Sequence, residues 1–371
     1  MATGAEQHAQ DEAHMRAALS LAARGLGNTW PNPAVGCVVV RDGQVVGRGW
    51  TAPGGRPHAE TEALRRAGEA ARGATAYVTL EPCCHWGRTP PCTDALIAAG
   101  VARVVVALRD PDPRVDGRGL RLLQEAGIEV QHGVLEAEAA ALTAGFIRRV
   151  SAGLPLVTLK LATTLDGRIA TRTGESRWIT GPAARRAVHA MRARHDAVLV
   201  GSGTLLADDP DLTCRLPGAA PTPTVRVVAD ARLRTPASAR LFHNPAPAWI
   251  VTRSGHPEAA LAALRARGAE LVEVPAAENG TGLDVGALLR ALAVRGITRV
   301  FAEGGAALAA GLLRAGLVDR LAWFHAPATM GADGRPAVDV LPLDMLSAMP
   351  RFRRVSAAVL GPDLLSEFEA A

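Results

Sequence analysis

Lysine is nearly absent from this chain of 371 residues: Lys160 is the only one, and arginine supplies every other side chain of fixed positive charge. Aromatic residues are also scarce, at 4%, with Tyr77 the single tyrosine. That poverty argues against a surface for stacking exposed bases, and no nucleic-acid motif accompanies it. Cysteine occurs five times, an odd number, with three crowded between Pro82 and Cys92 while Cys37 and Cys214 stand alone. A disulfide framework is therefore not expected, and the compartment reads as reducing. No run approaches eighteen apolar residues, and the polar start from Met1 to Asp11 lacks a charged-then-apolar signal pattern. The expectation is a cytoplasmic protein that binds neither membrane nor nucleic acid. A net charge of +5 without basic blocks fits anionic small ligands, although a solvated arginine-rich surface is the simpler reading.

What is present is more specific. His58-Ala59-Glu60 is followed by the segment Pro82 to Cys92, which contains Cys83, Cys84, His85 and Cys92. A catalytic zinc takes three protein ligands and keeps one position open for water. His58, Cys83 and Cys92 can supply the three, and Glu60, two residues beyond the histidine, can move protons without occupying the metal. The general deaminase signature is H-x-E with P-C-x-x-C, whereas here the second half is Cys-x8-Cys. A closed zinc knot, with Cys84 or His85 as fourth ligand, is the structural alternative. It leaves Glu60 without a task.

The length predicts about two domains, each able to bury its own core. Apolar helical patterns alternate with short β-branched runs throughout, which predicts α/β layering in both halves. In the first half the pattern predicts helices over Asp11–Gly25, His58–Ala71, Thr93–Ala99 and Leu120–Ala126. Strands are predicted over Val35–Val40 and Val45–Trp50, joined at Asp42-Gly43, and over Tyr77–Leu80, Val101–Leu108 and Ile128–Gln131. A small-residue turn at Ser151 to Pro155 marks the domain junction, giving domains 1–150 and 151–371.

The second half opens with a strand over Leu156–Leu161 that carries the lone Lys160, where a compact ammonium can sit beside a carbonyl or hydroxyl. A stem packed along the sheet with its amine in water is the alternative. Gly201-Ser202-Gly203 lacks the third glycine of G-x-G-x-x-G, so the Rossmann fingerprint is absent. The strand Val300 to Glu303 runs into Gly304-Gly305 and a helix over Ala306–Arg314. Such a junction is either a phosphate-binding helix start or a plain tight turn.

These segments together resemble the bifunctional riboflavin-biosynthesis deaminase/reductase family along nearly the whole chain. The residues that carry the resemblance are Pro31 to Gly36, Pro57 to Glu60, the Pro82 to Cys92 loop, Leu165-Asp166-Gly167, Gly174 to Thr180, Ala207 to Pro210 and Glu303 to Gly305. The stretch from about Ala219 to Gly280 carries little motif information. The long Cys-x8-Cys loop is what this family has. The resemblance implies an α/β fold of two domains: an N-terminal cytidine-deaminase-like α/β/α sandwich and a C-terminal dihydrofolate-reductase-like α/β domain. It further implies one zinc ion, NADPH without a Rossmann motif, a phosphoribosylated aminopyrimidine substrate, and a homo-oligomer with no interface named.

Residue by residue, the resemblance places Asn32, His85 and Arg88 on the base or its phosphoribosyl arm, with Cys84 where a serine is often found. In the second domain it places Ser176, Arg192 and Arg215 around the substrate phosphate, with Glu303 and the backbone of Leu212 near the substrate. Ala162, Trp178, Thr204 and Asp208 resemble cofactor contacts, as does the run Gly305, Ala306, Ala307, Leu308, Ala309, Ala310 and Gly311. Glu60 and Lys160 are then the catalytic candidates, Lys160 by polarising the sugar oxygen. Two rivals remain: a nucleic-acid base deaminase with a binding module, and a protein whose second domain serves only as a scaffold.

Overall fold

The computed structural model describes residues 4–216, 224–278 and 280–371, so the polar start and the low-information stretch beginning at Ala219 fall partly outside it. The chain forms two compact units, Met1–Gly153 and Leu154–Ala371. No described helix is long and apolar enough to cross a membrane.

The first unit runs α1 (Gly4–Ala22), β1 (Gly36–Arg41), β2 (Gln44–Trp50), α2 (Ala59–Ala67), β3 (Thr75–Val78), α3 (Cys92–Ala99), β4 (Arg103–Val106), α4 (Arg118–Glu125), β5 (Glu129–His132) and α5 (Glu136–Ala152). Its five strands lie in the order β2-β1-β3-β4-β5. β1 pairs antiparallel with both neighbours, whereas β3, β4 and β5 run parallel. Helices α1 and α5 lie on one face, and α2, α3 and α4 on the other. The hairpin turns at Asp42-Gly43, both at positive φ, as an Asp-Gly signal demands.

Close approach of helix to sheet is set by glycines on opposite faces. A Cβ on Gly36 would stand 1.9 Å from the Ala18 carbonyl of α1. On β2, a Cβ on Gly47 would stand 2.3 Å from the Ala63 carbonyl, and one on Gly49 would stand 2.2 Å from the Ala59 carbonyl of α2. Helix α2 thus lies directly on the strand, which fixes the segment from His58 to Glu60. On the far face the only tyrosine has a structural task. The Tyr77 hydroxyl donates to buried Asp11 at 2.9 Å, and Arg103 donates to both carboxylate oxygens at 2.8 Å. Burial alone would push Asp11 up, but these bonds outweigh it and hold its carboxyl below the usual range.

The second unit contains β6 (Leu156–Thr163), β7 (Arg168–Ala170), α6 (Pro182–Arg192), β8 (Ala197–Gly201), α7 (Ser202–Asp208), β9 (Val225–Ala229), β10 (Ala248–Thr252), α8 (Glu258–Arg265) and β11 (Ala269–Glu273). It continues with α9 (Val285–Val294), β12 (Arg299–Ala302), α10 (Ala306–Arg314), β13 (Arg320–His325), β14 (Arg335–Pro336), β15 (Phe352–Leu360) and β16 (Asp363–Ala370). The main sheet has the order β11-β10-β9-β8-β12-β6-β13-β16-β15. Seven strands from β11 to β13 are parallel, and the last two are antiparallel. The chain steps outward from β8 to β11 and then returns as β12 between β8 and β6. The carboxyl ends of β6, β8 and β12 therefore meet where the strand order reverses.

The reading of arginine as solvated surface needs correction at three positions. Arg192, Arg226 and Arg299 are buried, and the first two meet a carboxylate and backbone carbonyls that suit a planar guanidinium. Arg226 donates to the carbonyls of Leu241 and Ala246. Gly49→Ala is expected to lower the urea midpoint by the equivalent of about 1–3 kcal/mol through overpacking. Gly203→Ala, in α7 with no atom within 4 Å of the added Cβ, should not lower the midpoint and should raise it by the equivalent of up to about 1 kcal/mol.

Candidate functional site

In the first unit the chain turns extended at Pro57 and His58 before α2 begins. His58 is the N-cap in extended conformation, with φ −72° and ψ 159°, and its ring makes no capping bond. The imidazole is left to face the cysteine loop. Its Nδ1 lies 3.3 Å from Cys92 Sγ and 3.6 Å from Cys83 Sγ. Cys83 follows β3, Cys92 is the first residue of α3, and the Cys92 amide donates to Cys83 Sγ at 3.3 Å. The three donor atoms all lie within 4.8 Å of one another.

The donor set fits zinc. Tetrahedral bonds of about 2.0 Å to nitrogen and 2.3 Å to sulfur require N···S separations of roughly 3.5 Å. Neither Cys84 nor His85 joins the group. The Cys84 thiol faces the Arg114 carbonyl at 3.6 Å instead, and buried His85 Nδ1 finds no hydrogen-bond partner. Three donors leave a fourth position open.

Protonation is shared across the cluster. The hydrogen bond with Cys92 is the main cause that pulls the Cys83 thiol down to about 4, while the same bond pushes the Cys92 thiol well up. A hydrogen bond to Cys83 raises His58. Glu60 is only 4% exposed, and burial, reinforced by the charge of Cys83, pushes its carboxyl up to about 7. A group with that affinity can take and return a proton near neutrality.

The cluster opens into a cavity of about 310 Å³ lined by Asn32, Arg56, His85, Asp110 and Phe146 among others. Asn32 is fixed by donating Nδ2 to the Gly55 carbonyl at 2.8 Å. Arg88, on the exposed part of the cysteine loop, does not line this cavity.

Two carboxylates escaped the sequence reading. Buried Glu81, two residues before Cys83, accepts backbone N–H bonds from Asp110, Gly117, Gly119 and Leu120 at 2.9–3.3 Å. It ties the strand that delivers the cysteines to the loop after β4. Asp110, on that loop, is 6% exposed and accepts from the Asp112 amide at 2.9 Å. The Asp110-Pro-Asp-Pro run directly after a strand was the available signal.

In the second unit the structure joins residues far apart in sequence. Arg192, at the end of α6, forks onto Glu303 with one bond of 2.8 Å, and also donates to the Thr213 carbonyl at 2.8 Å. Lys160 lies half-buried on β6. Burial pushes its ammonium below the usual range, opposed by the charges of Glu303 and Asp208 and reinforced by that of Arg192. Burial pushes Glu303 up, but Arg192 and Lys160 outweigh it and keep the carboxylate ionised. Leu212 takes φ +60° and is buried, next to Asp211, whose carboxylate accepts from Thr213 Oγ1 at 2.6 Å.

Arg215 is exposed, its amide donating to His189 Nδ1 at 3.2 Å. Ser176 is half-buried between β7 and α6, and Ala162 near the end of β6 is also half-buried. Trp178 is 68% exposed, with the guanidiniums of Arg185 and Arg177 at 4.6 and 5.9 Å from its ring, and Arg177 donates to the Asp208 carbonyl. Gly304 and Gly305 both hold positive φ, +107° and +94°, which side chains rarely adopt. A Cβ on Gly305 would stand 3.0 Å from Thr204 Oγ1. This bare corner leaves the first amides of α10 unobstructed, which fits a nucleotide's phosphates. Leu308, Ala309 and Ala310 are buried in the core.

Comparison with known proteins decides the family. Residues 155–366 match the RibD C-terminal domain, and residues 8–108 match the cytidine and deoxycytidylate deaminase zinc-binding region. The chain is 45% identical over 370 residues to the riboflavin biosynthesis protein RibD of Escherichia coli K12, covering 96% of this chain and 98% of that protein. This chain belongs to the RibD family. The Bacillus amyloliquefaciens RibD is 41% identical over 95% of each chain. Among solved structures, an Acinetobacter baumannii RibD superposes with a TM-score of 0.88 at 39% identity, covering 98% of this chain and all of that one. The Thermotoga maritima diaminohydroxyphosphoribosylaminopyrimidine deaminase/5-amino-6-(5-phosphoribosylamino)uracil reductase gives 0.85 at 36%, covering 98% and 100%. RibD membership agrees with the mixed α/β architecture of both units and with a zinc-binding deaminase region that holds His58, Cys83 and Cys92.

Two outcomes follow for this RibD chain. Cys83→Ser and Cys92→Ser should each lose zinc by elemental analysis, whereas Cys84→Ser should keep one ion per chain. Burial, the largest cause, pushes the Asp110 carboxyl up to about 7, against the bond from the Asp112 amide. Because the folded value lies above the unfolded one, folding is favoured by protonation, and that stability is lost as pH rises from about 4 through 7. In urea titrations Asp110→Asn should be more stable than the parent at pH 8, by at most about 4 kcal/mol, with the gap closed near pH 4.

Proposed function

We propose that residues 1–150 form a deaminase domain acting on 2,5-diamino-6-(5-phosphoribosylamino)pyrimidin-4(3H)-one. Residues 151–371 then form a reductase domain that converts the ribosyl side chain of the deaminated product to ribityl. The observation that carries this reading is the three-donor group His58, Cys83 and Cys92 with buried, protonatable Glu60 beside it at one cavity.

Zinc, held by those three residues, would act as a Lewis acid that makes water a nucleophile at neutral pH. Glu60 takes a proton from the attacking water and gives it to the ring nitrogen, then takes the second proton from the added hydroxyl and gives it to the departing amine. Ammonia leaves and the C2 position becomes a carbonyl. Asn32 and His85 orient the base, with Arg88 on the phosphoribosyl arm. Orphaned His85 Nδ1 supports this role, since it is a donor or acceptor awaiting a partner.

NADPH would supply hydride to the sugar carbon that bears the ring amine. Lys160 donates a hydrogen bond to the sugar oxygen as the ring opens. Arg192 and Arg215, with Ser176, hold the substrate phosphate, while Glu303 and the Leu212 backbone position the sugar. Ala162, Trp178, Thr204 and Asp208 border the cofactor, and the α10 amides face its phosphates.

Point variants separate the two halves. Glu60→Gln should retain zinc yet release ammonia at least about a hundredfold more slowly, while still oxidising NADPH when given the deaminated substrate. Lys160→Met should do the reverse. An unchanged NADPH-oxidation rate in Lys160→Met would remove that residue from the mechanism.

A further inference from the structure

Neither reaction gives His189 a task, yet this residue touches the segment that carries two of the groups placed on the reductase substrate. It stands half-buried in the last turn of α6. The segment from Asp209 to Arg215 leaves α7 at φ +41° and passes Leu212 at +60°, outside any helix or strand. Its peptide and side-chain groups therefore need partners from elsewhere in the fold.

Asp211 anchors the middle of this segment. Its Oδ2 accepts from Thr213 Oγ1 at 2.6 Å, its Oδ1 accepts from Asn244 Nδ2, and buried Arg226 stands 3.8 Å from it. Helix α6 holds the end. Arg192 donates Nη1 to the Thr213 carbonyl at 2.8 Å while it is forked onto Glu303. His189 takes the next two residues: its carbonyl accepts from Cys214 Sγ at 3.3 Å, and its ring Nδ1 accepts from the Arg215 amide at 3.2 Å.

An Nδ1 that accepts a peptide N–H is using its lone pair, so the ring proton sits on Nε2 and the imidazole is neutral. The surroundings favour that form. Burial, the largest cause, pushes this imidazole below its usual range, and the charges of Arg192 and Arg215 reinforce it against Glu303 and the Thr213 carbonyl. Both guanidiniums are thus near enough to bear on the same ring, which places them about one patch. Arg192 is fixed there by Glu303, but the Arg215 side chain is exposed and depends on where its backbone is held. His189 does the holding.

We propose that His189 is a positioning residue of the second unit. Its neutral ring fixes the Arg215 backbone, and through it the guanidinium that, with Arg192, makes the site prefer a phosphorylated sugar over an unphosphorylated one. The inference rests on the reading that Arg192 and Arg215 hold the substrate phosphate.

NADPH oxidation by the full-length protein tests it, with 5-amino-6-(5-phosphoribosylamino)uracil and its dephosphorylated counterpart as the two substrates. His189→Ala should raise KM for the phosphorylated substrate about tenfold and keep kcat within about threefold, as for lost ground-state binding. KM for the dephosphorylated substrate, and ammonia release by the first unit, should not move. His189→Asn, whose side-chain oxygen can stand where Nδ1 stood, should recover most of the loss. Arg215→Gln is the reference and should raise KM for the phosphorylated substrate alone. An equal loss on both substrates in His189→Ala, or a His189→Asn no better than alanine, would mark a packing role and overturn the proposal. An unchanged KM in His189→Ala beside a raised one in Arg215→Gln would overturn it too, while leaving the phosphate reading intact. If Arg215→Gln leaves KM for the phosphorylated substrate unchanged, that reading falls and the proposal falls with it.

Discussion

Both units depend on what happens where a parallel strand ends. Inside the sheet every peptide group is paired, but at the carboxyl end the chain must turn, and its polar groups need new partners. In the first unit buried Glu81 answers this demand, gathering two backbone amides from the loop after β4 and two from the first turn of α4 onto the segment that follows β3. The cysteine loop thereby starts from a fixed anchor. In the second unit Gly304 and Gly305 end β12 with two residues at positive φ, and Asp230 ends β9 by binding its own turn. Each terminus is satisfied by a different device.

The charges at the two sites are balanced differently. Around His58 the cluster holds mobile protons: a thiol drawn down, another pushed up, and a buried carboxyl raised to about 7. A cation would replace those protons, since thiolate and neutral imidazole are the ligating forms. Around Lys160 the charges are fixed. Arg192 is forked onto Glu303, and the lysine adds a compact cation to the pair. One site is suited to moving protons, the other to orienting a charged substrate.

Sequence alone exposed the residues whose chemistry is concentrated in short motifs. His58, Glu60, Cys83 and Cys92 fall in two segments with known spacing, and the resemblance carried the same logic through Gly304-Gly305 and the α/β architecture of both units. Most strand and helix edges shifted by a residue or two, as at His58, which stands just outside α2 as its cap, but α1 begins at Gly4, seven residues before the expected Asp11, and α2 ends at Ala67, four before the expected Ala71. What stayed hidden depends on partners distant in sequence. Arg192 meets Glu303 across 111 residues, and Arg103 meets Asp11 across 92. Neither pairing leaves a local pattern. Arg226 read as one more surface arginine, yet it is buried against carbonyls contributed by a loop that follows its strand. Glu81 offered no local signal, because its role comes from four amides that only the fold brings to it.

The central claim is that one chain performs deamination and then reduction on a single phosphoribosylated pyrimidine. It is tested most directly by incubating zinc-loaded protein with the diaminopyrimidinone ribosyl phosphate, with and without NADPH, while recording ammonia and product mass. Ammonia in both reactions, with a product heavier by two hydrogens only where NADPH is present, is the result this account requires. Absence of ammonia from zinc-loaded protein would contradict the substrate assignment, and ammonia without any reduced product would contradict the role given to the second unit.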